Sequence, residues 1–128
     1  MIYYITLGAN DVAKAAKFYD AALRPLGIVR SMTDPTEVGY GVEGSGTSVL
    51  YVTRPYDTSR PASQGNGTMV ALPAPSQAAV DAFHAAAVAN GGTDDGKPGL
   101  RPYASDWYAA YVRDPDGNKI SAVHRDKP

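Results

Sequence analysis

The chain has 128 residues, no cysteine and a formal net charge of −1, from 12 basic and 13 acidic side chains. This length predicts a single domain that buries roughly two-thirds of the surface of its unfolded chain. The lack of cysteine excludes disulfides, thiolate metal sites and cysteine nucleophiles. Scattered basic residues and a near-neutral charge predict no nucleic-acid binding and no membrane binding. The start of the chain is too short and polar for a signal peptide, so we expect a cytoplasmic protein.

The first half of the chain predicts a strand, a helix and three further strands. Residues 2–8 are β-branched and aromatic, which is typical of a strand. A helix follows, capped by Asn10 or Asp11 and stopped by Pro25 and Gly27. Its apolar stripe has helical spacing and consists of Val12, Ala15, Ala16, Tyr19 and Leu23. Three strand-like runs come next, near 28–33, 37–43 and 47–53. Residues 54–66 contain several proline and glycine breaks and read as a connector.

The second half repeats this order. A strand is predicted at 67–72, followed by an alanine-rich helix that Ser76 caps and Gly91-Gly92 ends. Val80, Phe83 and Ala87 form the core face of that helix. A short strand is expected near 93–97, and two more at about 107–113 and 118–124. The last two flank Asp114-Pro-Asp-Gly-Asn118, in which proline pre-sets the turn and glycine takes a positive φ.

The repeated order predicts an α+β domain of two modules. Module one covers about 1–53, the connector about 54–66 and module two about 67–128, all within one domain. Units of this size bury their sheets against helices and pair with each other.

Several motifs in this order resemble the glyoxalase/bleomycin-resistance (vicinal oxygen chelate, dioxygenase) superfamily. They are Ile5-Thr-Leu-Gly, Asp11-Val, Phe18-Tyr19, Gly67-Thr-Met-Val-Ala-Leu, Gly91-Gly92 and Asp114-Pro-Asp-Gly-Asn-Lys-Ile. The resemblance implies two βαβββ modules that form a curled mixed sheet around a cavity. It also implies a bacterial homodimer, with each cavity built within one chain or across a swapped dimer.

Metal-using relatives hold a divalent ion with His, Glu or Gln side chains on the first and fourth strands of each module. The resemblance maps these positions to Tyr4, Tyr51, Met69 and Ser121. Phenol, thioether and hydroxyl groups are poor ligands for Zn, Ni, Mn or Fe at neutral pH. We therefore expect no metal ion and no cofactor, and the metal-dependent mechanisms of the family do not transfer.

The same positions predict an aromatic cavity instead. Strand alternation adds Trp107 and Tyr111 to the wall, and Arg101 lies in a loop expected to overhang the mouth. The predicted ligand-binding residues are Tyr4, Tyr51, Met69, Arg101, Trp107, Tyr111 and Ser121. Apolar walls with hydroxyl tips suit a flat small molecule. The alternative is that these rings fill the cavity.

Three functions remain open at this point. The first is metal-independent binding of a small aromatic or amphipathic molecule between the modules. The second is a lyase or transferase of the lactoylglutathione lyase kind. It would need either a metal ion bound at a displaced site or metal-free acid–base catalysis by tyrosine or arginine. The third is a degenerate dimeric interaction domain with a filled cavity. The sequence names no catalytic residue, because no nucleophile motif or Ser/His/Asp set can be assembled.

Overall fold

Two four-stranded sheets and two α-helices make up the computed structural model, which describes residues 1–127. The first half contains β1 (Ile5–Gly8), α1 (Val12–Leu23), β2 (Ile28–Asp34), β3 (Glu37–Val42) and β4 (Leu50–Thr53). The second half contains β5 (Met69–Pro73), α2 (Gln77–Ala89), β6 (Thr93–Leu100), β7 (Tyr108–Arg113) and β8 (Lys119–His124). The predicted α+β class and the repeated strand–helix–three-strand order are confirmed. The predicted end of module two, Pro128, lies outside the described residues.

The two sheets have the same topology. The strand order is β1-β4-β3-β2 in the first sheet and β5-β8-β7-β6 in the second. In each sheet the first strand pairs in parallel with the last one, and the other pairs are antiparallel. Each half therefore forms its own four-stranded sheet, in which its first and last strands lie side by side.

Local signals fix both helices. The Asp11 carboxylate caps α1 by accepting from the Lys14 amide at 3.1 Å, and the Ser76 hydroxyl caps α2 by accepting from the Ala79 amide at 3.0 Å. A short 3-10 turn, Arg24–Leu26, extends α1 and ends at Gly27, whose φ of 75° is left-handed. None of the helices within the described chain has the length and apolarity needed to cross a bilayer.

Several strand boundaries differ from the sequence prediction. The first strand begins at Ile5 rather than at residue 2, because its pairing with Leu50 of β4 starts there. For the same reason β4 spans 50–53 instead of 47–53, and β5 spans 69–73 instead of 67–72. The sixth strand runs on to Leu100 rather than ending near 97, because two register shifts around Gly96 keep it paired with β7.

One apolar core connects the two halves. The helices pack against each other, and each also packs on the sheet of its own half. The core includes Phe18 and Tyr19 from α1 and Val80, Phe83 and Ala87 from α2. Each sheet therefore has one face covered by helices and one helix-free face.

A polar junction crosses this core at the hairpin turn. The Asp114 carboxylate is 4% exposed and accepts hydrogen bonds from the amides of Asp116 and Asn118, the Asn118 side chain and the Tyr19 hydroxyl, the last at 2.6 Å. Burial raises the pKa of Tyr19 well above its ordinary range, and the adjacent Asp114 carboxylate raises it further. The Asn118 amide also donates to the Gly8 carbonyl at 3.1 Å. The turn of the second half is thus bonded to the first half.

Candidate functional site

The helix-free face of the second sheet carries an open pocket of about 600 Å³, called the aromatic pocket below. Its floor follows from strand alternation: Ser121 of β8 lies between Ala71 of β5 and Tyr111 of β7 in the sheet register. The loop after β6 forms one wall. The lining residues are Met69, Ala71, Asp95, Gly96, Arg101, Tyr103, Trp107, Tyr111, Lys119, Ser121 and Val123.

Aromatic rings form the walls of the pocket. Tyr103 and Trp107 meet edge to face, with ring centroids 5.5 Å apart. Tyr111 lies beside Gly96 of β6, where a Cβ atom would come within 2.8 Å of the tyrosine Cδ2. Because Gly96 has no Cβ, the Tyr111 ring can pack directly against the β6 backbone at this position.

Charged groups surround the Tyr111 ring. The Arg101 guanidinium carbon lies 5.2 Å from the ring centroid, and the Lys119 ammonium lies 5.3 Å from it. Both distances suit cation–π contacts. The Asp95 carboxylate pairs with Lys119 at 3.4 Å and with Arg113 at 2.9 Å. The pocket therefore combines an aromatic surface with two cations and one carboxylate.

Two buried polar atoms at the pocket make no hydrogen bond. They are the Ser121 hydroxyl oxygen and the Trp107 indole nitrogen. Ser121 is fully buried. Buried polar groups are nearly always paired, because leaving one unpaired costs about 1–3 kcal/mol. The protein's own groups therefore leave the hydrogen-bonding capacity of these two atoms unused.

The pocket brings together five of the seven residues predicted to bind a ligand: Met69, Arg101, Trp107, Tyr111 and Ser121. Tyr4 and Tyr51 lie elsewhere. Tyr51 is on β4 of the first sheet, and Tyr4 precedes β1 and contacts Tyr51 edge to face, with centroids 5.2 Å apart. One chain does not place these two rings in the aromatic pocket.

Six lining residues were not among the predicted ligand-binding residues, and three of them, Asp95, Tyr103 and Lys119, carry a charged or aromatic side chain. Strand alternation places Lys119 on the face of Ser121, two residues away, but a lysine beside a hairpin turn is typically exposed and was therefore not predicted to bind. Asp95 reaches the pocket through the register shift between Asp94 and Gly96, which alternation does not foresee. Tyr103 lies in the loop between β6 and β7 and carries no periodic signal.

The side chains present do not fit the divalent ion that the resemblance implies. Asp95 is the one carboxylate lining the pocket, and two cations engage it. Within residues 1–127, no three His, Cys, Asp or Glu side chains are grouped so that they could hold a metal ion. The four mapped positions offer phenol, thioether and hydroxyl groups, which suit such an ion poorly.

A larger pocket of about 820 Å³ lies next to the aromatic pocket and shares Met69 and Lys119 with it. Its remaining lining comes mainly from the connector end, Gln64 to Thr68, and from the hairpin turn. It contains no aromatic ring, and its Asp114 carboxylate is already engaged within the turn. The aromatic pocket is therefore the better candidate for a ligand site.

Paired strand–helix–three-strand units with an open pocket on a helix-free sheet face define the class of fold. The model of the Glyoxalase/Bleomycin resistance protein/Dioxygenase superfamily matches residues 2–122, and the chain belongs to that superfamily. The fold is similar to the crystal structure of a glyoxalase/bleomycin resistance protein from Albidiferax ferrireducens T118. The two are 41% identical, the match covers 95% of this chain and 96% of the other, and the TM-score is 0.83.

More distant structures share the fold. A glyoxalase-related enzyme from Fulvimarina pelagi is 21% identical, with 95% of this chain and 86% of the other covered and a TM-score of 0.74. Glyoxalase I from Zea mays is 25% identical with a TM-score of 0.66, and the match covers 93% of this chain but 44% of that enzyme. A search of curated protein sequences gave no significant match. The comparisons establish the superfamily and leave the specific function open.

Proposed function

We propose that the protein binds a small aromatic or amphipathic molecule in the aromatic pocket without using a metal ion. The observation that carries this proposal is the convergence of Tyr103, Trp107 and Tyr111 on an open pocket of about 600 Å³. This volume lies in the usual range of small-molecule sites, and the mixture of rings with a few polar groups is typical of them. The open space beside Tyr111 favours binding over a filled interior.

Trp107 provides a direct test of this proposal, because it is the single tryptophan of the chain and it lines the pocket. We expect aromatic compounds from a small-molecule panel to change its fluorescence in a saturable way. We also expect Tyr111→Ala to weaken that binding by about tenfold, since it removes one aromatic wall. The measurement is a fluorescence titration with and without EDTA, and EDTA should leave the affinity unchanged.

Tyr56→Ala is the matched control, because Tyr56 is fully exposed in the connector and lies outside the aromatic pocket. Circular dichroism of each variant checks that it is folded. A panel in which no compound alters either the fluorescence or the melting temperature would contradict the proposal. A metal ion at stoichiometric occupancy, together with turnover of a glutathione adduct, would favour the lyase alternative.

We also propose that the protein is a homodimer that brings the helix-free face of the first sheet over the aromatic pocket of a second copy. Tyr4 and Tyr51 belong to that face and stay outside the pocket of their own chain. Met1, Ile2 and Tyr3 leave large apolar side chains exposed beside them. Clustered exposed apolar groups of this kind favour association.

Light scattering coupled to gel filtration tests the dimer. We expect twice the 13.5 kDa mass of one chain. Ile2→Asp should raise the dimer dissociation constant by at least about tenfold, because it buries a charge in the contact. Val88→Asp is the control, since Val88 is an exposed apolar residue on α2 and lies away from that face. A wild-type mass of one chain at micromolar concentration would rule the dimer out.

A further inference from the structure

We propose that the aromatic pocket selects an anionic aromatic ligand, with Arg101 supplying the charge preference and Ser121 a hydrogen bond at the floor. This inference rests on the proposed function, because it assigns the chemical class of the molecule bound at the same site. It depends on three features of the pocket: a cation without a counter-ion, the net positive charge that this cation leaves among the lining residues, and a buried hydroxyl without a partner.

Arg101 follows β6 directly and is held in place by carbonyls of that strand. Its guanidinium donates to the Gly99 carbonyl at 2.9 Å and to the Lys97 carbonyl at 2.6 Å, and it lies over the Tyr111 ring. Within residues 1–127, no carboxylate comes within ion-pair distance of it. The carbonyls fix the position of the guanidinium but leave its charge uncompensated, and they leave N–H groups free for an anion.

The charge balance at the pocket is positive. Among its lining residues, Arg101 and Lys119 are cations and Asp95 is the one anion. Asp95 is shared between Lys119 and Arg113, so its charge is already matched by two cations. A ligand that enters therefore meets a net positive field, which attracts an anion and repels a cation.

The floor of the pocket carries a polar group without a partner. Ser121 is fully buried, and its hydroxyl makes no hydrogen bond. Its neighbours in the sheet register are Ala71 on one side and Tyr111 on the other, and all three residues line the pocket. A ligand oxygen or nitrogen reaching the floor would pair this hydroxyl and remove the cost of leaving it unpaired.

Together these features define the ligand as a planar ring that bears an ionised acid group. The rings of Trp107 and Tyr111 provide stacking surface, the guanidinium recognises the anion, and the hydroxyl bonds a polar atom of the ring system or its substituent. A neutral amide of the same shape keeps the stacking and loses the charge attraction. A matched acid and amide pair therefore separates ring recognition from charge recognition.

The experiment measures binding of three such pairs by isothermal titration calorimetry at pH 7.5. The probes are benzoate, 2-naphthoate and indole-3-carboxylate, each with its primary amide. We expect each acid that binds to do so at least about tenfold more tightly than its amide, the range for a hydrogen bond to a charged group. Arg101→Gln should weaken the acids by about 10- to 100-fold and the amides by less than about threefold.

Arg24→Gln is the matched control, because Arg24 is exposed at the end of α1, far along the chain from the pocket lining. It should leave both probe classes unchanged. Arg101→Lys keeps the charge and should retain part of the preference for acids. Ser121→Ala should weaken acids and amides alike by about three- to tenfold, the value of one neutral hydrogen bond. It should not lower the melting temperature of the free protein, because it removes an unpaired group.

The possible outcomes separate the two proposals. If neither acids nor amides bind on any scaffold, the proposed function fails and this inference fails with it. If amides bind as tightly as acids, the proposed function stands and the anion preference is wrong. If Arg101→Gln weakens acids and amides equally, Arg101 is not the source of the preference. If Ser121→Ala changes no affinity, the hydroxyl does not contact the ligand.

Discussion

Asp114→Ala should destabilise the protein by about 3–5 kcal/mol, because it removes the acceptor of four hydrogen bonds from a buried site. Two of the four donors are backbone amides of the turn, and one is the Tyr19 hydroxyl from the other half of the chain. Three of these hydrogen bonds are buried and the one from the Asp116 amide is part-buried, so most of the donors would be left without water as a replacement partner. The free energy of unfolding, measured by urea denaturation and circular dichroism, checks the value.

Asp34→Ala is the matched control for this prediction. Asp34 also precedes a proline in a turn, and it accepts from the Thr36 amide at 3.0 Å, but it is exposed. Its loss should cost about 0.5–1 kcal/mol, because water replaces the carboxylate. Asp114→Asn should fall between the two alanine variants, since an amide keeps the size but offers one acceptor atom. Equal losses for Asp114→Ala and Asp34→Ala would contradict the structural role of the junction.

Gly92→Ala should cost about 3 kcal/mol or more, because a methyl group has no space at this position. An added Cβ would lie 2.5 Å from Phe18 Cε2, 2.8 Å from the Ala87 carbonyl and 2.9 Å from the Arg113 carbonyl. The Phe18 ring is fully buried, and the other two atoms belong to the backbone, so none can move at low cost. Thermal and urea unfolding measure the loss.

Gly44→Ala is the control for the Gly92 variant. Gly44 has open space around its Cα, but its φ is 83°. Alanine at this position should therefore lower the free energy of unfolding by backbone strain alone, about 1–2 kcal/mol. The comparison separates crowding from backbone conformation. A loss at Gly92 no larger than the loss at Gly44 would mean that α1 and β6 can move apart, and the close contact between the halves would then be wrong.

The order of the elements could be predicted from the sequence because its signals are local. Asp11 and Ser76 cap helices through hydrogen bonds within one turn, and alternation places Tyr111 and Ser121 on one face, as their register confirms. The β6 strand extends beyond its predicted end through irregular pairing, which depends on β7 and not on local composition. Its register shifts also bring Asp95 to the pocket.

Other parts of the site depend on how the two halves pack, and no local pattern contains that information. Alternation predicted Tyr4 and Tyr51 beside Tyr111, yet Tyr51 lies on the other sheet and Tyr4 precedes β1 and contacts Tyr51, so both are outside the pocket. The Asp114 turn could be recognised from its proline and glycine, but its burial against Tyr19 could not. Turn chemistry fixes the backbone path, whereas burial depends on residues about a hundred positions away.

The bonds between the hairpin turn and the first half have a consequence for synthesis of the chain. Asn10 bonds to Asp116, 106 positions later, and Gly8 accepts from Asn118. The first half therefore completes these polar contacts only after residue 118 has left the ribosome. Contacts between residues so distant in sequence slow folding. Until the second half is synthesised, α1 lacks the packing partner that α2 provides, so part of its apolar surface stays exposed. Folding of the two halves is therefore coupled through the hairpin turn of the second half.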